Sequence, residues 1–243
     1  MRSFNGKKYW LIGASDGLGA ALARRLSQAG ADVVVSARSV EKLEAVVATL
    51  GDKGSLQEID VSDDDSVRDA AAAVGPVDGV VFLAGVYWPF SARDWNAEQA
   101  TAMADINFTG MMRVMGQVVP MMVARDAGHI VLTSSLTGFR GLPGSIGYTA
   151  SKAGNMSLAE CMYADLRKTG VAVQVVNPGF IKTQLTEKND FSMPFIMEPD
   201  QAAEVMFKHM QSSKFKKSFP TAFSLVFRLS QFLPDSLYYR IFS

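Results

Sequence analysis

The sequence predicts an α/β fold: a single domain built on a doubly wound parallel sheet, with a helical C-terminal extension. Three observations lead there. Several short apolar runs are hydrophobic throughout rather than alternating, as strands buried on both faces of a parallel sheet must be. Helical patterns follow them in βα alternation, which is the signature of crossover connections. A glycine-rich turn joins the first run to the first helical pattern, where a backbone can approach a ligand closely.

The elements follow in order. Residues 9–13 form the first expected strand, and 18–29 an Ala- and Leu-rich helix closed by Gly30, a residue suited to a left-handed C-cap. The β-branched run 32–36 (DVVVS) is the second strand and leads into a helix at 41–50. The third strand spans 56–61, followed by an acidic helix start at Ser62, Asp63, Asp64 and Asp65. Strands at 77–84, 129–134 and 171–176 come next, with long helical patterns at 98–125 and 148–168 and a further one at 201–211. No linker, repeat or low-complexity tract interrupts the series, so residues 1–243 are read as one domain of Rossmann type.

Composition narrows the function. Hydrophobic residues are 48% and charged residues 20% of the 243, an ordinary globular balance that excludes wholesale disorder. Lys plus Arg equals Asp plus Glu at 24 each, so no nucleic-acid partner is expected from the global charge. The single cysteine, Cys161, excludes an internal disulfide and a cysteine-based zinc site; no metal is expected, and a reducing, cytoplasmic setting fits. The apolar run after Lys8 is too short for a secretory leader, and no stretch is long and apolar enough to span a bilayer. Charge is uneven, however: residues 205–243 carry a net +5 and the preceding 204 a net −5.

Gly13, Gly17 and Gly19 lie at the first strand-to-helix junction, where free N–H groups and the helix dipole suit a pyrophosphate. A ligand-free tight turn is the plainer alternative. The same residues also spell G-x-S-x-G, the nucleophile elbow of a serine hydrolase, with Ser15 as nucleophile. That reading needs a histidine, and the two available, His129 and His209, lie before a strand and in a helix.

Tyr148 and Lys152 open the long helix at i, i+4, so phenol and ammonium share a face. A nearby positive charge would lower the tyrosine pKa and make it a usable proton donor or acceptor. Ser134 and Ser135 end the fifth strand, where open α/β sheets bind ligands. With these residues the chain resembles the short-chain dehydrogenase/reductase family over residues 8 to 183. The resemblance rests on the G-x-x-x-G-x-G turn, Asp60-Val61, Ala84-Gly85, Asn107, Ser135 thirteen residues before Tyr148, Lys152, and Pro178-Gly179 with Thr183. It implies hydride exchange between a nicotinamide and a carbonyl or alcohol, with Tyr148 as acid or base, Ser135 holding the oxygen, Lys152 tuning Tyr148 and binding the ribose, and Asn107 ordering a water. It further implies that Gly13, Ser15, Gly17, Leu18, Gly19, Arg38, Asp60, Val61, Ala84, Gly85, Pro178, Gly179, Ile181 and Thr183 line the dinucleotide, together with Tyr148 and Lys152. Two departures stand out: Phe82-Leu83-Ala84-Gly85 lacks the asparagines frequent there, and Ile12 replaces a threonine that braces the turn. A dinucleotide-binding sensor or scaffold without turnover is the rival reading, disfavoured by the intact Ser135, Tyr148 and Lys152.

No acid follows the second strand, where the chain reads Ser36-Ala37-Arg38-Ser39. Arg38 can grip a 2′-phosphate and Ser36 and Ser39 can add hydrogen bonds, which favours NADPH over NADH; Asp16 in the glycine turn argues the other way. Residues 184–212 are expected to cover the substrate, with Phe191, Met193, Phe195, Ile196 and Met197 as an apolar wall for a hydrophobic small molecule. Residues 213–243 form the amphipathic extension: 219–233 should be helical, with Phe219, Phe223, Val226, Leu229 and Leu233 on one face and Ser224, Arg228 and Gln231 opposite. That apolar face is expected to pack on the body or on a second subunit of a homodimer or homotetramer, with peripheral contact to an anionic membrane as the alternative.

Overall fold

The computed structural model describes residues 1–188 and 193–242. Seven strands form one parallel sheet in the order β3-β2-β1-β4-β5-β6-β7. They are β1 (Lys8–Ile12), β2 (Asp32–Ala37), β3 (Gly54–Glu58), β4 (Gly79–Phe82), β5 (Gly128–Thr133), β6 (Val171–Pro178) and β7 (Lys216–Phe219). Helices α1 (Gly17–Gln28), α2 (Val40–Val47), α3 (Asp64–Val74), α4 (Ala97–Ala104), α5 (Gly110–Ala124) and α6 (Ile146–Leu166) occupy the crossovers. After β6 come α7 (Pro199–Gln211), α8 (Thr221–Ser230) and α9 (Asp235–Phe242).

Each face of the sheet has its own apolar layer. Leu22, Leu26, Met206 and Phe207 join α1 and α7 to one face, and Val67, Val114, Val118 and Ile130 join α3 and α5 to the other. Central strands β4 and β5 are buried along nearly their whole length, which is why their sequences do not alternate.

Three expectations change. The helical pattern at 98–125 is two helices, because Asp105–Thr109 forms a π-type turn between α4 and α5. A seventh strand, β7, follows α7 where only a tail was expected. Residues 184–212 are not all a cover: α7 packs on α1, with Arg25 Nε 2.7 Å from Glu204 Oε2.

The extension departs most. Phe219 ends β7 and is buried, and Pro220 begins the next helix, so the helical stretch is 221–230 rather than 219–233. The orientation is also rotated from expectation: Ser224 is 1% exposed while Val226 and Leu229 are 47% and 61% exposed. Phe223 and Phe227 turn inward with Ser224, and packing two rings inward carries the aliphatic residues outward.

Candidate active site

A cleft of about 460 Å³ opens along the carboxyl ends of the central strands, lined by Ile12, Ala37, Thr133 and Pro178 from four of them and by Leu83 just after β4. Of the expected site residues, Gly13, Ser15, Leu18, Gly19, Arg38, Asp60, Val61, Ala84, Gly85, Tyr148, Lys152, Pro178, Gly179, Ile181 and Thr183 line it. Gly17, Asn107 and Ser135 do not, and each supports a residue that does.

The glycine turn explains one end. Gly13 has φ +86°, and a Cβ there would collide with the backbone of Ala84. Gly19 packs equally tightly on the Gly13 carbonyl, so no side chain fits. Gly17 lies beside the Thr183 methyl. The hydroxyl missing at Ile12 is replaced by main-chain bonds: Gly13 N and Ala14 N donate to Ser36 O at 2.7 and 3.2 Å, and Leu83 N donates to Ile12 O at 2.8 Å. Asp16 is the N-cap of α1, yet its carboxylate makes no capping hydrogen bond and lies 3.9 Å from Lys42 Nζ. The N-terminus of α1 therefore has no side-chain cap where Ser15, Leu18 and Gly19 line the cleft, an arrangement that fits an anion.

Arg38, Ser39, Lys42 and Asp60 line the far end. Ser36 does not belong with them: it is fully buried, and its hydroxyl accepts from Trp10 Nε1 at 2.8 Å. Burial pushes Asp60 up, but hydrogen bonds from the Ser62 hydroxyl and N–H and the field of Arg38 outweigh it, leaving the carboxyl below its usual range. Lys42 went unremarked in the sequence, although its position in the first turn of α2, four residues after Arg38, was a legible signal.

At the other end α6 delivers Tyr148 and Lys152. Lys152 is 3% exposed; its Nζ donates to Thr133 O at 3.2 Å and lies 5.5 Å from the Tyr148 ring centre. The two serines separate. Ser134 Oγ donates to Lys152 O at 2.6 Å and pins α6 to β5, whereas Ser135 hydrogen-bonds the Tyr148 phenol and accepts from Thr137 N at 3.2 Å. The lowered tyrosine pKa expected from Lys152 does not appear. Burial pushes Tyr148 up to about 12, against the hydrogen bond to Ser135, and burial brings Lys152 down to about 8. Burial sets the direction in both groups.

Asn107, fully buried in the π-type turn, accepts at Oδ1 from Val86 N at 2.7 Å, and its Nδ2 donates to Val86 O at 2.9 Å and Ser151 Oγ at 3.1 Å. These bonds fix the strand-end loop beside Gly85 and leave one lone pair of Oδ1 unused. Asn155 completes the link by donating to Asn107 O at 3.0 Å and Thr133 O at 3.4 Å. Its spacing of seven from Tyr148 and three from Lys152 places it on the same helix face, a signal the sequence did hold. Tyr87, edge-on to Tyr148 at 5.1 Å between ring centres, is a further neighbour.

The expected apolar wall is only partly inward. Phe195 and Ile196 are 59% and 42% exposed, Met197 packs against the core, and Phe191 lies outside the described residues. Gln184, Leu185 and Thr186 line the cleft instead. Neither histidine does, and His129 lies at the opposite end of β5 from Ser134, which removes the serine-hydrolase reading of Ser15.

The fold and cleft define the class as a parallel α/β protein with its ligand site at the strand carboxyl ends. A family model described as short chain dehydrogenase matches residues 7–192, and the chain belongs to the short-chain dehydrogenase/reductase family of oxidoreductases, enzymes that bind NAD(P)(H). An uncharacterized oxidoreductase of Myxococcus xanthus is 38% identical over 235 residues, covering 94% of this chain and 93% of that protein. A 3-oxoacyl-acyl-carrier-protein reductase of Rickettsia conorii is 29% identical over 188 residues, covering 77% and 78%. Among solved structures, a variant actinorhodin polyketide ketoreductase with NADPH aligns with TM-score 0.81, 25% identity and 90% and 97% coverage. A short-chain dehydrogenase/reductase of Burkholderia phymatum in complex with NAD aligns with TM-score 0.87 at 24% identity, covering 95% and 94%, which bears on the fold alone. No helix among the described residues is long and apolar enough to cross a membrane.

Proposed function

We propose that this chain is an NADPH-dependent carbonyl reductase whose substrate is a hydrophobic ketone, aldehyde or acyl thioester. The observation that supports it most is the pair Tyr148 and Lys152 at one end of a cleft, with Ser135 hydrogen-bonded to the Tyr148 phenol, while the other end holds Arg38 and Lys42. A bound nicotinamide dinucleotide supplies a hydride to a carbonyl carbon or accepts one from an alcohol. Tyr148 is fully protonated at neutral pH, since burial holds its phenol near 12, and it donates that proton to the carbonyl oxygen in the reducing direction. The Ser135 hydroxyl, already aligned with the phenol, donates a hydrogen bond to the same oxygen and stabilises its developing charge. Lys152 offers its remaining N–H donors to ribose hydroxyls. Asn107 and Asn155 are positioning residues that fix the Thr133 carbonyl and hence Lys152.

The choice of NADPH rests on charge. Arg38 and Lys42 line the end of the cleft beyond β2, and Lys42 lies near enough to Asp16 to offset the one acid that argued for NADH. Initial rates with each cofactor across a panel of ketones, aldehydes and acyl thioesters test both halves. Ala37→Asp combined with Arg38→Ala should move the preference towards NADH, because it adds repulsion as well as removing attraction. Equal use of both cofactors by the unmodified enzyme refutes the role given to Arg38.

A further inference from the structure

The C-terminal helices are apolar on both sides. Inward, Phe223 and Phe227 pack edge-on at 5.1 Å, and Ser224 and Ser230 are buried with them. Outward, Leu225, Val226 and Leu229 are 45%, 47% and 61% exposed and form one stripe at helical spacing. Phe232 continues it at 83%, and α9 adds Leu237 and Ile241 at 44% and 58%. Phe195 stacks on Phe223 at 5.6 Å, against the inward side of α8 and away from the stripe. Exposed apolar side chains clustered on one helix face in this way mark an interaction site.

Charge selects the occupant. Arg228 borders the stripe on α8 and Arg240 lies on α9, and neither enters an ion pair among the described residues. The only acid on either helix is Asp235, already held by Arg140 Nη2 at 2.5 Å. In a two-fold contact between copies the face would meet itself, burying these arginines with no acid of the face free to neutralise them. An anionic bilayer satisfies both features, taking the apolar side chains into its interface and the guanidinium groups among its headgroups. We propose that the outward face of α8 and α9 docks on an anionic lipid bilayer. Its angle is set by Arg140, which donates to Ser230 O at 2.6 Å and Leu233 O at 2.8 Å and lies over the Tyr238 ring at 3.9 Å. The same helix abuts the cleft: a Cβ on cleft-lining Gly179 would lie 3.2 Å from Phe223 Cδ1. One aromatic layer thus separates the bilayer face from the cleft wall.

Sedimentation of the full-length protein with phosphatidylcholine vesicles, with and without phosphatidylserine, tests this. Binding should require phosphatidylserine at low salt and weaken as salt rises. Leu225→Glu with Leu229→Glu should reduce vesicle binding at least tenfold while leaving the circular-dichroism melt unchanged. Arg228→Gln and Arg240→Gln should each reduce it about fivefold. Full-length protein that stays in the supernatant with both vesicles, or binding that ignores Leu225→Glu and Leu229→Glu, overturns the proposal. So does a dimer in solution that the same two substitutions dissociate, since a second copy would then cover the face.

Discussion

The two ends of β5 both bury polar groups, and they bury them differently. At its amino end His129 is 2% exposed and saturated: Tyr9 Oη lies 2.8 Å from Nδ1 and Gln174 Oε1 lies 2.8 Å from Nε2. Gln174 Nε2 in turn donates to the carbonyls of His209, Ser212 and Lys214 at 3.0, 3.0 and 2.8 Å. Arg2 Nη1 also lies 3.0 Å from His129 Nε2 and donates to Met210 O at 2.6 Å, so both ring nitrogens have partners. At its carboxyl end, Thr133 Oγ1 is buried without a partner, and Lys152 Nζ has one hydrogen-bond acceptor, Thr133 O, among the described residues. A saturated buried cluster holds a fold together, and an unsaturated one bordering a cleft has bonding capacity left for a ligand.

The largest effect belongs at the unsaturated end. Tyr148→Phe keeps the ring packed against Tyr87 and removes only the proton-bearing group, so turnover should fall about 10²- to 10⁴-fold. Dinucleotide affinity, read by fluorescence titration, should change little. Retained turnover would mean that another group supplies the proton, and the contrast between the ends would lose its chemical half.

The saturated end should answer in stability alone. Gln174→Leu removes a polar partner of His129 Nε2 and a donor from three carbonyls, which should cost about 2–4 kcal/mol in denaturant unfolding. Turnover per folded molecule should stay unchanged. A variant as stable as the parent but inactive would reverse the assignment of the two ends.

Acid should find His129 at the saturated end and, beside its cluster, His209, whose Nε2 is buried without a partner among the described residues. Burial lowers His129 to about 3 and His209 to about 4, so both remain neutral in the fold while the unfolded chain takes up protons near 6.5. Folded pKa values below unfolded ones give stability that is complete above pH 6.5 and is lost as pH falls towards 4 and then 3. The slope should approach about 1.4 kcal/mol per pH unit for each histidine in that window. His129→Gln should flatten it when unfolding free energy is measured from pH 7 to 4, and an unaltered slope would place the sensitivity elsewhere.

Much of this was legible, and the reason is locality. Gly19 meets its obstacles, Gly13 and Ala14, within a single turn, Tyr148 and Lys152 share one helix, and the central strands declare themselves by unbroken burial. What escaped depends on distant partners. β7 reads KKSF with no apolar run and becomes a strand only by pairing with β6, Lys216 opposite Val175. Its lysines suit an edge, where charge discourages further pairing. The Arg140 clamp reaches 95 residues to Asp235, and the His129–Gln174 bond spans 45, so no window of sequence holds both partners. The rotation of α8 was hidden for another reason: with apolar residues on both sides, periodicity alone could not choose which faced in.

The smallest effect is expected at Thr133, and it sharpens the comparison most. Its hydroxyl is buried and without a partner, while its main-chain oxygen receives Lys152 and Asn155. Thr133→Val removes the hydroxyl, keeps the β-branched shape and leaves the carbonyl in place. Replacing an unpaired buried hydroxyl by a methyl abolishes a desolvation penalty and breaks no protein bond, so stability should stay within about 1 kcal/mol of the parent and could only gain from the exchange. The equivalent removal of Gln174 on the neighbouring strand breaks several bonds at once, although both side chains are polar and buried in the same sheet. Chemical denaturation of the two variants side by side decides the matter. If Thr133→Val loses 2 kcal/mol or more, its hydroxyl is satisfied in solution, and the carboxyl end of β5 is as saturated as the amino end.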